Sequence, residues 1–328
     1  MNIGSNSAKI SPISAETTAD NPSEIDEPVE KPDFVKKIEN FDLNNLPPEN
    51  IEFMNHVIQD VFREHFPVNN ELIDKIPDHM KIVDNEEFIR LLQEENEDAD
   101  TDRGFYSLKF NKMFVNISKH HTIGALFSTM FHESLHFVSI QSGAGLRGGF
   151  CYPSPTEGET DDLISELDEG VRTMVEGTTQ NITHAYLMDY LRFDPQPEMF
   201  SYEPEYQITN TIWGAFSREE KMQAYFNTPL ELLRVRVESA FDENYDVDKP
   251  SGIFADCLVN VARATKQMKV ALNSWRENDN PEPIEDILKN VRHAVGLFII
   301  REVEDKRRSL NETDEEDLRD YLEPYYNQ

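Results

Sequence analysis

The stretch that decides the fold is Thr122-Ile-Gly-Ala-Leu-Phe-Ser-Thr-Met-Phe-His132-Glu133-Ser-Leu-His136-Phe-Val-Ser-Ile140. Apolar residues occupy nearly every face of a helix drawn over it, so the sequence predicts a helix from about residue 122 to 140 that is buried nearly all round. His132 and His136 are four residues apart and therefore lie one above the other on the same face. Small residues flank them on that face and leave room for a metal ion and a substrate: Ala125, Ser128, Thr129 and Ser139.

Two histidines at this helical spacing can hold one zinc ion, and Glu133 between them completes the pattern H-E-x-x-H. Zinc lowers the pKa of a bound water toward neutrality, and Glu133 is the natural base to accept the proton of that water. The pattern also arises by coincidence, as a His-Glu pair on an amphipathic helix. The surrounding sequence therefore has to support the metal interpretation.

The residues just before this helix predict a β-hairpin. Residues 105–110 and 113–117 are apolar in the alternating or clustered manner of strands, and Asn111 and Lys112 lie between them. A hairpin followed by a buried H-E-x-x-H helix is the order expected of a zincin, in which the sheet edge binds an extended peptide by strand addition. Further helices are predicted over residues 51–62, 85–93 and 161–192.

A catalytic zinc ion needs a third protein ligand and an open position. No histidine follows at the metzincin spacing, and no H-x-x-G-x-x-H tail exists after His136. We therefore expect a carboxylate on a later helix. The two candidates, Glu169 and Glu176, are seven residues apart and can lie on one helix face.

At this point the chain resembles the gluzincins, the thermolysin- and aminopeptidase-like zinc peptidases. Their second motif reads Leu-Asn-Glu-Gly followed by a run such as Phe-Ala-Thr-Tyr-Val-Glu, and its first Glu is the zinc ligand. Here Leu167, Glu169, Gly170, Thr173, Val175 and Glu176 match that run, and Asp168 replaces the Asn. This alignment implies that Glu169 is the ligand.

A variant in bacterial toxin-like gluzincins reads Glu-Gly-x-Thr-Glu and implies that Glu176 is the ligand. It aligns with Glu176, Gly177, Thr179, Gln180 and Thr183. Gln180 then becomes a candidate for orienting a ligand histidine. Both alternatives stay open. We favour Glu169, because the segment between His136 and Glu169 is the shorter one and its length is closer to that typical of the family.

The resemblance covers about residues 105–230 and implies a tyrosine that stabilises the oxyanion. Residues 206–214 look like the segment of aminopeptidase-like gluzincins that carries this tyrosine, and residues 224–226 are similar to a helix-end pattern that follows it. Tyr206 is therefore the predicted catalytic tyrosine, with Tyr202 as its competitor and a packing role as the alternative. The G-x-M-E-N motif of the aminopeptidases is lacking, which favours an endopeptidase.

The charge balance restricts the partners. With 31 Lys+Arg against 63 Asp+Glu, the formal net charge is −32, which repels nucleic acid and anionic membranes and favours solubility or a basic protein partner. No apolar run approaches the roughly 18 residues of a membrane span, so none is expected. Cys151 and Cys257 offer neither a disulfide framework nor a cysteine metal site, which suits a reducing cytoplasm.

Residues 1–47 are rich in Ser, Thr, Asn, Pro and acidic residues and predict a disordered leader. They lack the regions of a signal peptide, so synthesis in the cytoplasm is expected. The leader is either a dispensable tail or an uncleaved export signal. Gluzincins with such a leader and an acidic body are often bacterial effectors or toxins, so injection through a secretion apparatus into a target cell is a hypothesis.

The sequence thus predicts an α+β, mainly α fold. A zincin-like catalytic domain with a small edge β-sheet is expected over residues 48–200. A helical C-terminal subdomain over residues 201–328, with amphipathic stretches at 218–225, 229–241, 253–275 and 284–303, is expected to complete the active-site cleft. The expected function is that of a zinc-dependent metalloprotease acting on a protein or peptide. The alternative is an inactive zincin-fold protein that binds a partner without turnover.

Overall fold

The computed structural model describes residues 30–95, 103–140, 161–195, 199, 203–213, 221–222, 225–226 and 252–277. Most of these residues are helical, and a small sheet accompanies the helices, so the predicted α+β, mainly α class is confirmed for them. The helices are α1 (Asp33–Glu39), α2 (Pro48–His65), α3 (Asn70–Ile73), α4 (Ile76–His79), α5 (Asn85–Glu95), α6 (Ile123–Ser139), α7 (Asp161–His184), α8 (Glu203–Trp213) and α9 (Gly252–Glu277). The strands are β1 (Met80–Val83), β2 (Gly104–Ser107) and β3 (Lys112–Asn116).

The described strands form one sheet in the order β1-β3-β2. β2 and β3 are the predicted hairpin, paired antiparallel with Phe105 opposite Phe114. Asn111 in the connecting turn has a φ of 50°, which asparagine tolerates better than most residues. β1 was not predicted; it pairs parallel with β3. β2 therefore lies at an edge of this sheet.

Helix α6 is the centre of the fold, and the predicted helix over residues 122–140 is confirmed. All of its residues from Ile123 to Ser139 are buried. Thr122 caps its N-terminus, because its Oγ1 accepts a hydrogen bond of 3.2 Å from the N–H of Ala125. The sheet and α7 both pack against α6, which explains why apolar residues are needed on almost all of its faces.

Helix α7 is the second long element of the core, and it continues past His184 as a π-helical turn over Ala185–Tyr190. α8 and α9 pack along it at two glycines. A Cβ at Gly170 would lie 2.3 Å from the carbonyl oxygen of Leu258, and one at Gly177 would lie 2.3 Å from that of Glu205. These contacts are with backbone atoms, so the glycines set how closely the helices approach.

Gly177→Ala is therefore expected to destabilise the protein by about 1–3 kcal/mol, the usual cost of overpacking. The steric cost opposes the higher helix propensity of alanine, which alone is worth roughly 1 kcal/mol in the other direction. Urea unfolding measures the difference. Ser165→Ala, at an exposed position of the same helix, is the control and should unfold as the wild type does. Equal stability of Gly177→Ala and the wild type would contradict the packing argument.

The predicted leader boundary at residue 47 is corrected, because residues 30–47 belong to the ordered fold. Val35 and Ile38 of α1 are fully buried in the core, at a spacing of one helical turn. Lys31 forms ion pairs with Glu39 at 2.8 Å and with Asp194 at 3.0 Å. Residues 1–29, the rest of the predicted leader, lie outside the described residues.

The main hydrophobic cluster of the described residues runs from Val35 in α1 to Met268 in α9. The described helices on both sides of the predicted boundary at residue 200 therefore share this cluster. The predicted helical stretches at 229–241 and 284–303, and most of 218–225, lie outside the described residues. Among the helices that the structure describes, none combines the length and apolar character needed to cross a lipid bilayer.

Candidate metal centre

Three side chains from α6 and α7 converge on one point. The Nε2 atoms of His132 and His136 are 3.0 Å apart, and each lies 3.2 Å from Oε2 of Glu176. A tetrahedral zinc ion, with ligand distances of about 2.0–2.2 Å, places its ligand atoms roughly 3.3–3.6 Å apart. The nearly equilateral triangle in this protein is only slightly smaller, so these residues fit a zinc ion bound on one side of the triangle.

The three converging atoms are acceptors that one shared cation can satisfy. The carboxylate oxygen of Glu176 can only accept, and two Nε2 atoms 3.0 Å apart cannot both carry a proton toward the centre. Both histidines are buried, which keeps bulk water away from these crowded lone pairs. One positive centre, a proton or a metal ion, satisfies all three atoms at once.

The ionisation of the cluster follows from its burial and its charges. Burial lowers the pKa of His132. Burial opposes a charge on His136 too, but the carboxylates of Glu176 and Glu133 outweigh it and raise the pKa of His136. Burial alone would raise the pKa of Glu176, yet the two imidazoles hold that pKa well below its usual range. Glu176 is therefore ionised and His132 neutral, the forms in which they bind metals.

Glu133 lies beside the ligands under the edge strand of the sheet. It is 3 % exposed. A Cβ at Gly104, the first residue of β2, would lie 2.9 Å from Oε1 of Glu133 and 2.7 Å from Cγ2 of Thr129. Thr129 is held in place, since its Oγ1 hydrogen-bonds to His120 at 2.8 Å and to the carbonyl of Ala125 at 3.2 Å. The missing side chain of Gly104 thus makes room for the carboxylate of Glu133.

Gly104→Ala is expected to displace the carboxylate of Glu133. For the peptidase activity expected from the sequence, this predicts hydrolysis about 100-fold slower, the cost of a misplacement of roughly 1 Å. The flexible carboxylate is the neighbour that can move. Zinc content should stay at the wild-type value, because Gly104 contacts none of the three ligand residues in the contacts described. Steady-state hydrolysis and elemental analysis measure the two effects. Leu108→Ala, at an exposed position after the same strand, is the control; wild-type hydrolysis by Gly104→Ala would contradict the role given to this contact.

The structure does not bring Glu169, the favoured candidate for the third ligand, to the two histidines. Glu169 lies away from the histidines, with Oε1 at 3.4 Å from Nζ of Lys269 on α9 and Oε2 at 3.7 Å from Arg172. Seven residues of helix correspond to about 10 Å along the axis, so only one of the two glutamates can stand level with His132 and His136. That residue is Glu176, the other of the two predicted candidates.

The structure places Tyr206 on α8, beside His184, with the two ring centroids 5.4 Å apart. His184 stands eight residues beyond Glu176, about 12 Å farther along α7. The contacts described do not bring Tyr206 to the three candidate ligand atoms, and its competitor Tyr202 lies outside the described residues. Gln180 donates to the carbonyl of Met199 at 3.0 Å and does not orient a ligand histidine in the contacts described.

The tyrosine that the structure does bring near the site is Tyr225. It is fully buried, and its hydroxyl lies 2.7 Å from Oγ1 of Thr179, on the turn of α7 that follows Glu176. The sequence carried a signal for it in residues 224–226, which resemble a helix-end pattern, but gave no reason to place its hydroxyl beside the ligands.

Comparison with known proteins identifies no relative of this chain. A scan of family models finds no match to the chain, and neither the curated proteins nor the solved structures contain a match. The functional conclusion therefore rests on the geometry of the site.

Proposed function

We propose that this protein is a zinc-dependent metallopeptidase of gluzincin type with a zincin-like core. His132, His136 and Glu176 would hold the zinc ion, and Glu133 would be the general base. The observation that carries the proposal is the convergence of two imidazole nitrogens and one carboxylate oxygen within 3.0–3.2 Å. Three ligands that leave an open side are typical of catalytic zinc, whereas structural zinc usually has four and often cysteines.

A bound zinc ion would supply a Lewis acid that lowers the pKa of a water molecule. Glu133 stands next to His132 on α6, and its carboxylate is buried under β2. In this position it can accept a proton from the water and deliver it to the leaving amine. The low exposure of Glu133 excludes most bulk water from this exchange.

The position of β2 supports an extended peptide as substrate. The carbonyl of Arg103 accepts a hydrogen bond of 2.8 Å from the N–H of Asn116. Because residues of an antiparallel pair alternate in direction, the peptide groups of the next residue, Gly104, face the edge opposite β3. A substrate chain that pairs with this edge would pass beside Glu133. The net charge of −32 favours basic proteins among the possible substrates.

The experiment that tests the proposal is hydrolysis of a labelled unfolded protein by the full chain, before and after removal of metal with a chelator. The proposal predicts cleavage that the chelator abolishes and that one equivalent of zinc restores. Zinc binding without any cleavage would favour the second candidate, a zincin-fold protein that binds a partner without turnover. Absence of zinc binding would overturn the proposed activity.

The predicted role as an injected effector follows from the proposed activity only as a hypothesis. It requires a target-cell protein that the wild type cleaves. Full toxicity of a Glu133→Gln variant would contradict it, because toxicity would then not depend on turnover.

A further inference from the structure

The hydroxyl of Tyr225 has no role in the proposed chemistry, yet it is buried beside the candidate metal centre. It lies 2.7 Å from Oγ1 of Thr179 and also hydrogen-bonds to Ser139. The negative charges of Glu176 and Glu133 also act on the hydroxyl of Tyr225. The ring packs edge-on against Phe226, with centroids 4.9 Å apart, so the phenol is held by its own packing.

Both hydroxyl partners of Tyr225 stand one helical turn beyond a ligand. Ser139 follows His136 by three residues on α6, and Thr179 follows Glu176 by three residues on α7. Residues at this spacing are neighbours on one side of a helix. The phenol of Tyr225 therefore joins the ligand-bearing turn of α6 to the ligand-bearing turn of α7.

The number of hydroxyl protons on Thr179, Ser139 and Tyr225 determines which group donates in each hydrogen bond. Thr179 Oγ1 donates to the carbonyl of Val175 at 2.8 Å, and Ser139 Oγ donates to the carbonyl of His136 at 3.0 Å. Each hydroxyl has one proton. While Thr179 bonds to Val175, the Tyr225 hydroxyl must therefore be the donor in its contact with Thr179. The phenol oxygen must then accept in its contact with Ser139, so Ser139 shares its one proton between Tyr225 and the carbonyl of His136. Burial raises the pKa of Tyr225, so the phenol keeps this proton.

We propose that Tyr225 is a positioning residue, which links Thr179 to Ser139 and thereby fixes the separation of Glu176 from His136. The inference rests on the proposed zinc site. Zinc affinity depends on this separation, because the ligand atoms must keep the distances of one coordination sphere. Tyr225 acts through the two helices and not on the substrate.

The test is the zinc affinity of Tyr225→Phe, measured by competition with a chromophoric chelator. The variant keeps the ring and removes the hydroxyl. We expect zinc to bind about 10-fold more weakly than to the wild type. This is the lower end of the range for losing a direct hydrogen-bond partner of a ligand, because Tyr225 acts one residue farther out, through Thr179 and Ser139. Tyr190→Phe is the matched control, because Tyr190 is 42 % exposed and its hydroxyl bonds to Glu64 at 3.1 Å, away from the ligands. This control should bind zinc as the wild type does.

Thr179→Val, which keeps the shape of the side chain, separates positioning from other roles. If Tyr225 acts through Thr179, the double variant should lose little more zinc affinity than either single variant does. The same cycle in the metal-free protein, read by urea unfolding, should also show coupling between the two residues. If Tyr225→Phe fails to fold, Thr179→Val and Ser139→Ala must each weaken zinc binding by themselves.

Wild-type zinc affinity in Tyr225→Phe, or in both Thr179→Val and Ser139→Ala, would overturn the inference. So would slower hydrolysis by Tyr225→Phe at unchanged zinc affinity, because the phenol would then act on the substrate. If the wild type binds zinc but cleaves nothing, the proposed function fails, and the affinity ratios still decide about Tyr225. If the wild type binds no zinc, both the function and the inference are overturned.

Discussion

Glu133→Gln is expected to bind one zinc ion per chain and to hydrolyse peptide bonds about 10³-fold more slowly than the wild type. The amide has nearly the shape of the carboxylate but cannot accept the proton of the attacking water. General-base catalysis is typically worth about 10²–10⁴-fold. Glu133 is not one of the three convergent ligand residues, so the metal should remain. Zinc analysis and steady-state hydrolysis of the same preparation measure both effects.

The matched control for this variant is Glu166→Gln on α7. Glu166 pairs with Arg263 at 2.8 Å at a more exposed position, so the same chemical change there should leave turnover at the wild-type level. If Glu133→Gln cleaved as fast as the wild type, Glu133 would not be the base. Loss of zinc from this variant would show instead that Glu133 helps to hold the metal.

Glu176→Ala is expected to weaken zinc binding by more than about 100-fold, the upper range for losing only an outer partner of a ligand. The substitution removes one corner of the triangle and leaves two histidines, which are too few for a tight site. Hydrolysis should be lost with the metal. Titration against a chelator of known affinity gives the magnitude, and His132→Ala should behave in the same way.

Glu169→Ala is the control that separates the two glutamates of α7. It removes contacts with Lys269 and Arg172 at 3.4 and 3.7 Å, which are partly exposed and contribute little. Zinc affinity should therefore match that of the wild type. The reverse pattern, with zinc lost from Glu169→Ala and kept by Glu176→Ala, would show that α7 is placed against α6 in a different way.

The local parts of the fold were predictable because short-range patterns determine them. The helix over 122–140 has continuous burial and a threonine cap, and the hairpin has an Asn-Lys turn between two apolar strands. β1 was missed because it is a four-residue strand whose partner, β3, lies thirty residues farther along the chain. Helix α1 was missed because charged residues separate its buried apolar positions, Val35 and Ile38.

Only those features of the candidate site that follow from helical periodicity could be predicted from the sequence. The spacing of His132 and His136 fixed two ligands, and the spacing of Glu169 and Glu176 showed that both could share a face. Which of them meets the histidines depends on where α7 crosses α6, and this is a matter of tertiary packing. The contacts of Tyr225 with Thr179 and Ser139 are likewise between residues far apart in sequence.

The measurement that tests the central claim most directly is X-ray absorption at the zinc edge of the wild-type protein loaded with one equivalent of zinc. The claim predicts two imidazole ligands and oxygen ligands at about 2.0–2.2 Å, with the imidazole signal reduced in His136→Ala. Sulfur at about 2.3 Å, or a spectrum that His136→Ala leaves unchanged, would contradict the claim that His132, His136 and Glu176 form the metal site.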